Sequence, residues 1–264
     1  MADWPYLGNS RIEADDLATS GTGSYEVNVD SPGSPNTKSG FVQLVASLPF
    51  SISGLMIQSH HAVNAYHLVD IAIGAPGSEV VVFADIAFGL PVAGGNGVDF
   101  RYIPIAVPGG TRISLRHAAS AGSSFGRFKM QLLGDAFAGI QAPSRWATWN
   151  ADAANSRGGP VTSSGSNNVK GSWVQLVASV PFTTKWFAFS MQGATSPRDF
   201  AVDFGIGGAG SEAVIIPDVH YTIESLSNFM GPFPLSIPAG ARLSARCQVS
   251  AAQADVLVIA HGGG

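Results

Sequence analysis

The chain has 264 residues and a net charge of −4, and only 12% of its residues are Asp, Glu, Lys or Arg, about half the share usual in globular proteins. Its 32 Gly, 16 Pro and 45% apolar residues exclude a disordered chain and argue against a coiled coil or a Glu/Lys-faced helical bundle. Its few lysines exclude a broad basic footprint for nucleic acid, and no apolar run is long enough to read as a membrane-spanning helix.

Residues 1–38 are polar and rich in Gly, Ser, Asp and Pro. They read as an N-terminal arm, with Trp4, Tyr6, Leu7 and Tyr25 as candidate anchors on a partner. Met1-Ala-Asp-Trp-Pro5 lacks the basic and apolar blocks of a signal peptide, and Cys247 is the only cysteine. Both features predict folding in a bacterial-type cytoplasm.

Residues 39–134 and 169–264 are two copies of one unit. Phe41-Val-Gln-Leu-Val-Ala-Ser-Leu-Pro-Phe50 returns as Trp173-Val-Gln-Leu-Val-Ala-Ser-Val-Pro-Phe182. Asn36-Thr-Lys38 matches Asn168-Val-Lys170, Asp70 to Glu79 matches Asp203 to Glu212, and Ile103 to Arg112 matches Phe233 to Arg242. The blocks keep their order at offsets of 132, 133 and 130 residues. A period this long marks a tandem domain duplication, not a solenoid.

Each unit reads as strands. Val69, Ile71 and Ile73 alternate with Asp70 and Ala72, and Val202, Phe204 and Ile206 repeat the pattern, which predicts a half-buried strand. Turn chemistry follows at Pro76-Gly77, Pro108-Gly109-Gly110 and Pro238-Ala239-Gly240. Pro104 and Pro234 fall in strand-like text, which suits edge strands. No stretch carries a capped helical stripe. The prediction is an all-β protein of two tandem β-sandwich, jelly-roll-like units with an extended N-terminal arm. Residues 135–168 read as a linker or extended segment, with Trp146 and Trp149 as further partner-contact candidates.

Chemistry is sparse. Gly205-Ile-Gly-Gly-Ala-Gly210 fits a dinucleotide fingerprint by letter, but strand-like Glu212-Ala-Val-Ile-Ile216 follows where the motif needs a helix. No cofactor is expected. His60, His61 and His67 have no matching cluster in the second copy, so they read as surface or loop histidines and not as metal ligands. His117 and Cys247 occupy equivalent positions on an apolar face and read as core. Asp70, Glu79, Arg112 and Arg116 recur as Asp203, Glu212, Arg242 and Arg246. Carboxylates so placed could serve a glycosidase if they converged. The preferred reading is scaffold, with Glu79 and Glu212 pinning a turn against the arginines.

Three of the four repeated blocks, from Trp/Phe-Val-Gln-Leu-Val-Ala-Ser through Asp-Ile-Ala-Ile-Gly-Ala-x-Gly-Ser-Glu to Phe-Pro-Leu-Ser-Ile-Pro-Ala-Gly-Ala-Arg, resemble a family of small β proteins of tailed bacteriophages. The resemblance covers about two thirds of the chain and carries over no catalytic residue. It implies a non-enzymatic virion component assembled in the host cytoplasm. The best fit within it is a capsid decoration (cement) protein, with other virion proteins as partners and a homo-oligomeric state, a trimer by analogy. Neither nucleic acid nor membrane is expected as a partner. The alternative is a tail-fibre or baseplate adhesin binding host-surface glycan, with Trp146, Trp149, Trp173 or Trp186 as its aromatic shelf.

Overall fold

A computed structural model describes residues 12–13, 27–61, 65–88, 98–124, 126–134, 141–193, 199–222, 228–251 and 253–264. In the first half the strands are β1 (Ile12–Glu13), β2 (Val27–Asn28), β3 (Val42–Val45), β4 (Ile52–His61), β5 (His67–Ile73), β6 (Val80–Phe88), β7 (Val98–Val107), β8 (Ile113–Ala119) and β9 (Gly126–Leu133). In the second they are β10 (Trp146–Trp149), β11 (Ala151–Asp152), β12 (Arg157–Thr162), β13 (Val174–Val177), β14 (Trp186–Gly193), β15 (Asp199–Ile206), β16 (Ala213–Thr222), β17 (Asn228–Pro234), β18 (Leu243–Val249) and β19 (Asp255–Gly263). Among the described residues the helical content is a single 3-10 turn, Ala153–Asn155.

The strands form four antiparallel sheets. In the first half, β1 and β2 lie along β9 in a sheet ordered β9-β4-β7, and the other sheet is ordered β3-β8-β5-β6. The second half repeats this with β10 and β12 along β19, then β14 and β17, against β13-β18-β15-β16. Each half is therefore an eight-stranded jelly roll in which the outermost strand is broken into two pieces. β7 and β17 end their sheets, so Pro104 and Pro234 sit on edge strands as the sequence predicts.

The break in the edge strand has the same register in both halves. Ile12 pairs with Leu133 and Val27 with Phe128. Trp146 pairs with Gly263 and Gly159 with Val258. In the second half the chain leaves the edge at Asn150, which is left-handed (φ 60°), and makes a small hairpin of β11 with β12. It rejoins at Gly159, whose N–H bonds back to the Asn150 carbonyl at 2.7 Å. A Cβ at the neighbouring Gly158 would stand 2.7 Å from the Val258 backbone, so the return needs glycine there.

Two sequence readings change here. The segment 135–168 is no linker where it is described: β10, β11 and β12 belong to the second sandwich. The 1–38 arm is likewise part of the first sandwich from Val27 onward. Val29 is fully buried, the Asn36 N–H bonds to the Ala119 carbonyl, and Lys38 reaches Asp70. Trp4, Tyr6, Leu7 and Tyr25 lie outside the described residues.

Each sandwich has its own core. Leu55, Ile57, Val69, Ile71, Phe83 and Leu115 lie in the first, and Phe187, Phe189, Val202, Phe204, Leu243 and Val258 in the second. The first core also takes in Trp146, Trp186 and Ala188 from the second half. β14 is buried along its whole length, and β19 along all but Asp255. That pattern arises because one face of their sheet covers its own core while the other covers the first sandwich. The alternation that predicts one wet face on β5 fails for the same reason: Leu68 and Ala87 lie against Ile259.

Candidate functional site

The recurrent charges form two matching networks on each unit. Asp70 Oδ1 accepts from Lys38 Nζ at 2.7 Å and from the Asp85 N–H at 2.8 Å, and Oδ2 accepts from Arg116 Nε at 2.7 Å. Asp203 repeats this with Lys170 at 2.7 Å, the Asp218 N–H at 2.9 Å and Arg246 Nε at 2.9 Å. The backbone explains the geometry. Opposite Asp70, β6 carries two residues, Ala84 and Asp85, in a bulge, and Asp85 is left-handed (φ 54°). The Asp70 carboxylate satisfies the N–H that the bulge releases. Burial works to raise the pKa of Asp70 and of Asp203, but their cations and the bulge N–H outweigh it and hold both carboxylates below their ordinary range.

The second network pins the turn after β5. Glu79 accepts from the Gly77 N–H at 2.8 Å and from Arg112 Nη1 at 3.0 Å, while Arg112 Nε donates to Gln43 at 3.0 Å. Arg242 joins Glu212 to Gln175 in the same way. Arg112 thus serves Glu79 and Arg116 serves Asp70; the two arginines do not share a carboxylate. The glycine-rich stretch Gly205–Gly210 is this turn in the second copy, with Gly207 and Gly210 at positive φ. Strand β16 follows it, not a helix.

The sequence reading missed two participants, Lys38/Lys170 as ligands of the buried Asp and Asp85/Asp218 as the bulge. Both pairs keep the repeat spacing, so the duplication itself carried the signal. The aromatics that open the repeat also take part: the Arg116 guanidinium lies 4.8 Å from the Phe41 ring centre, and that of Arg246 lies 4.5 Å from Trp173.

His67 is not a surface histidine. It is fully buried on β5 and its Nδ1 lies 2.8 Å from His117 Nε2, while His117 Nδ1 lies 3.0 Å from the Val29 carbonyl. Burial, then the neighbouring His67, pushes His117 down to about 3. In the second unit Phe200 and Cys247 replace the pair, and Cys247 Sγ meets the Val161 carbonyl at 3.2 Å. Burial pushes the Cys247 thiol up to about 12, so it is core and not nucleophile. The side chains of His60 and His61 lie outside the described residues. Among the described residues no group of three or more His, Cys, Asp or Glu is placed to hold a metal.

Trp146 and Trp149 are not exposed anchors. Trp149 is buried in the second core. Trp146 plugs the first sandwich between β6 and β7: its ring stacks on Phe83, and its Nε1–H donates to the Pro104 carbonyl at 2.9 Å. Beside it the Thr148 hydroxyl donates to the Ala84 carbonyl at 2.6 Å. That leaves Thr148 Oγ1 to accept from His261 Nδ1 at 3.0 Å, which places the histidine proton on Nδ1. His261 is fully buried, and burial pushes it down to about 3. Tyr66 donates to the Gly193 carbonyl across the same seam. Trp186 is buried too, and Trp173 lies half-buried beneath Arg246. Those four tryptophans do not make an open shelf.

No family model and no curated protein matches the chain. Among solved structures it is similar to PNGF-II in two crystal forms, with TM-scores of 0.36 and 0.35 at 9% and 7% identity, covering 90% of this chain. It spans 65% of the length of those PNGF-II chains. It is also similar to the N-terminal CBM22-1-CBM22-2 tandem domain of Paenibacillus barcinonensis Xyn10C, with a TM-score of 0.26 at 7% identity, covering 97% of this chain and 91% of that one.

Proposed function

We propose that this chain is a non-enzymatic structural component of a tailed-phage particle, working as a capsid decoration (cement) protein. The observation that carries this reading is where the charges go. In a chain this poor in charge, Asp70, Glu79, Asp203 and Glu212 are each held by arginine at the same scaffold position in both units. The resemblance of the repeated blocks to phage β proteins supplies the setting. The mechanism is mechanical: a stiff pair of sandwiches bridges neighbouring subunits and resists outward pressure through buried area spread over several contacts. The partners in this reading are other virion proteins and further copies of the chain.

Particles assembled without this chain are the test. They should assemble but lose their genome at lower temperature or weaker osmotic shock, and added purified protein should restore resistance. Particles that are equally robust with and without it would contradict the cement role. The adhesin alternative needs an accessible aromatic shelf, and the burial of Trp146, Trp149 and Trp186 removes most of the candidates for it.

A further inference from the structure

The duplication shows what should cover one open face. In the first sandwich the side between β6 and β7 is closed by the second: Phe83 lies under Trp146, and the Ala84 and Pro104 carbonyls accept from Thr148 and Trp146. By the repeat, the equivalent positions in the second sandwich are Ile216, Pro217 and Pro234, between β16 and β17. Among the described residues nothing covers them. Pro217 and Pro234 are exposed, Ile216 is half-buried, and Phe233, which stands where the first sandwich has the fully buried Ile103, is 42% exposed.

We propose that this β16–β17 side docks the first sandwich of a second copy, head to tail, in the geometry of the internal seam. The occupant follows from register. β10, which closes the first sandwich, lies along β19 with Trp146 opposite Gly263; β1 lies along β9 with Ile12 opposite Leu133, the matching position. A second copy therefore presents β1 where β10 sits inside the chain. Charge agrees with this pairing. Lys129 stands on β9 at the position of Ile259, and the face it would meet carries Asp199 and His220. Lys129 and Gln131 in place of Ile259 and His261 make this contact more polar than the internal seam, as suits chains that fold before they meet. A heterologous contact of this kind closes into a ring or runs on as a filament.

The inference stands apart from the virion reading, because it concerns the purified chain alone. Sedimentation of the full chain should show concentration-dependent association above the 27.2 kDa monomer. Phe233→Asp should weaken that association by about tenfold or more. Pro217→Lys, at an exposed position, gives the same readout should Phe233→Asp fold poorly. Mixing Ile12→Cys, at the position that Trp146 holds in the internal seam, with Pro217→Cys under oxidation should give a cross-linked dimer that neither variant gives alone. A chain that stays monomeric to on the order of 100 μM, or a Pro217→Cys variant that cross-links to itself as a two-fold pairing requires, would overturn the proposal.

Discussion

Phe83 of the first sandwich and Trp146 of the second lie face to face, 4.6 Å between ring centres and 1° between ring planes. Trp146 is thus counted in the core of the sandwich to which its own strand does not belong. Replacing it with Ala should cost about 3–5 kcal/mol, since a large buried ring and its bond to Pro104 are lost together. Calorimetry should then show two transitions, with the first sandwich melting earlier. One unshifted transition would contradict the seam as described.

The Asp70 and Asp203 networks give a paired prediction. Asp70→Asn leaves Lys38 and Arg116 without their shared carboxylate and should cost about 2–3 kcal/mol, between the values of exposed and buried pairs. Asp203→Asn should cost a similar amount, because Lys170 and Arg246 hold the same geometry. Denaturant midpoints of the two variants make the comparison. A large loss in one and none in the other would show that the networks are not equivalent.

Stability should fall with acid in two stages. His117 and His261 have folded pKa values of about 3, below the unfolded value of about 6.5. A depressed folded value means that the unfolded chain binds the proton first. Their contribution is complete above about pH 6.5 and is lost progressively between there and about pH 3. Asp70 and Asp203, also held low, add a second loss below about pH 4. The double variant His67→Phe/His117→Cys, which copies Phe200 and Cys247, should make the upper stage shallower and leave the share due to His261. An unchanged slope of melting temperature against pH would show that the pair does not drive it.

Truncation should separate the two parts of the N-terminal region. Removing residues 1–11 leaves every described contact in place and should leave the melting temperature unchanged. Removing 1–38 takes away β1, β2, Val29 and Lys38, and should unfold the first sandwich. Circular dichroism and proteolysis distinguish these outcomes. A stable 39–264 fragment would contradict the edge-strand assignment.

Much of this fold was legible in the sequence because it is written twice. The four blocks mark the turns, the edge prolines and the recurrent charges without any knowledge of packing. The seam was not legible. Burial of β5 on both faces depends on Ile259, far along the chain, and local alternation cannot report it. Trp146 and Trp149 read as anchors in polar surroundings because their text, Arg-Trp-Ala-Thr-Trp-Asn, lacks the repeat's signature. Their strand is an edge piece that the first copy fills with Ile12 and Glu13. His67 misled for a related reason: its partner His117 is distant in sequence, and the second copy holds Phe200 and Cys247 in their places.

The proposed role of the chain as a building block of a virion is tested most directly by density in the intact particle. An electron cryomicroscopy map of the native particle should show paired jelly rolls bound at symmetry-related sites on the head surface. A complete particle from which this chain is absent would contradict the account.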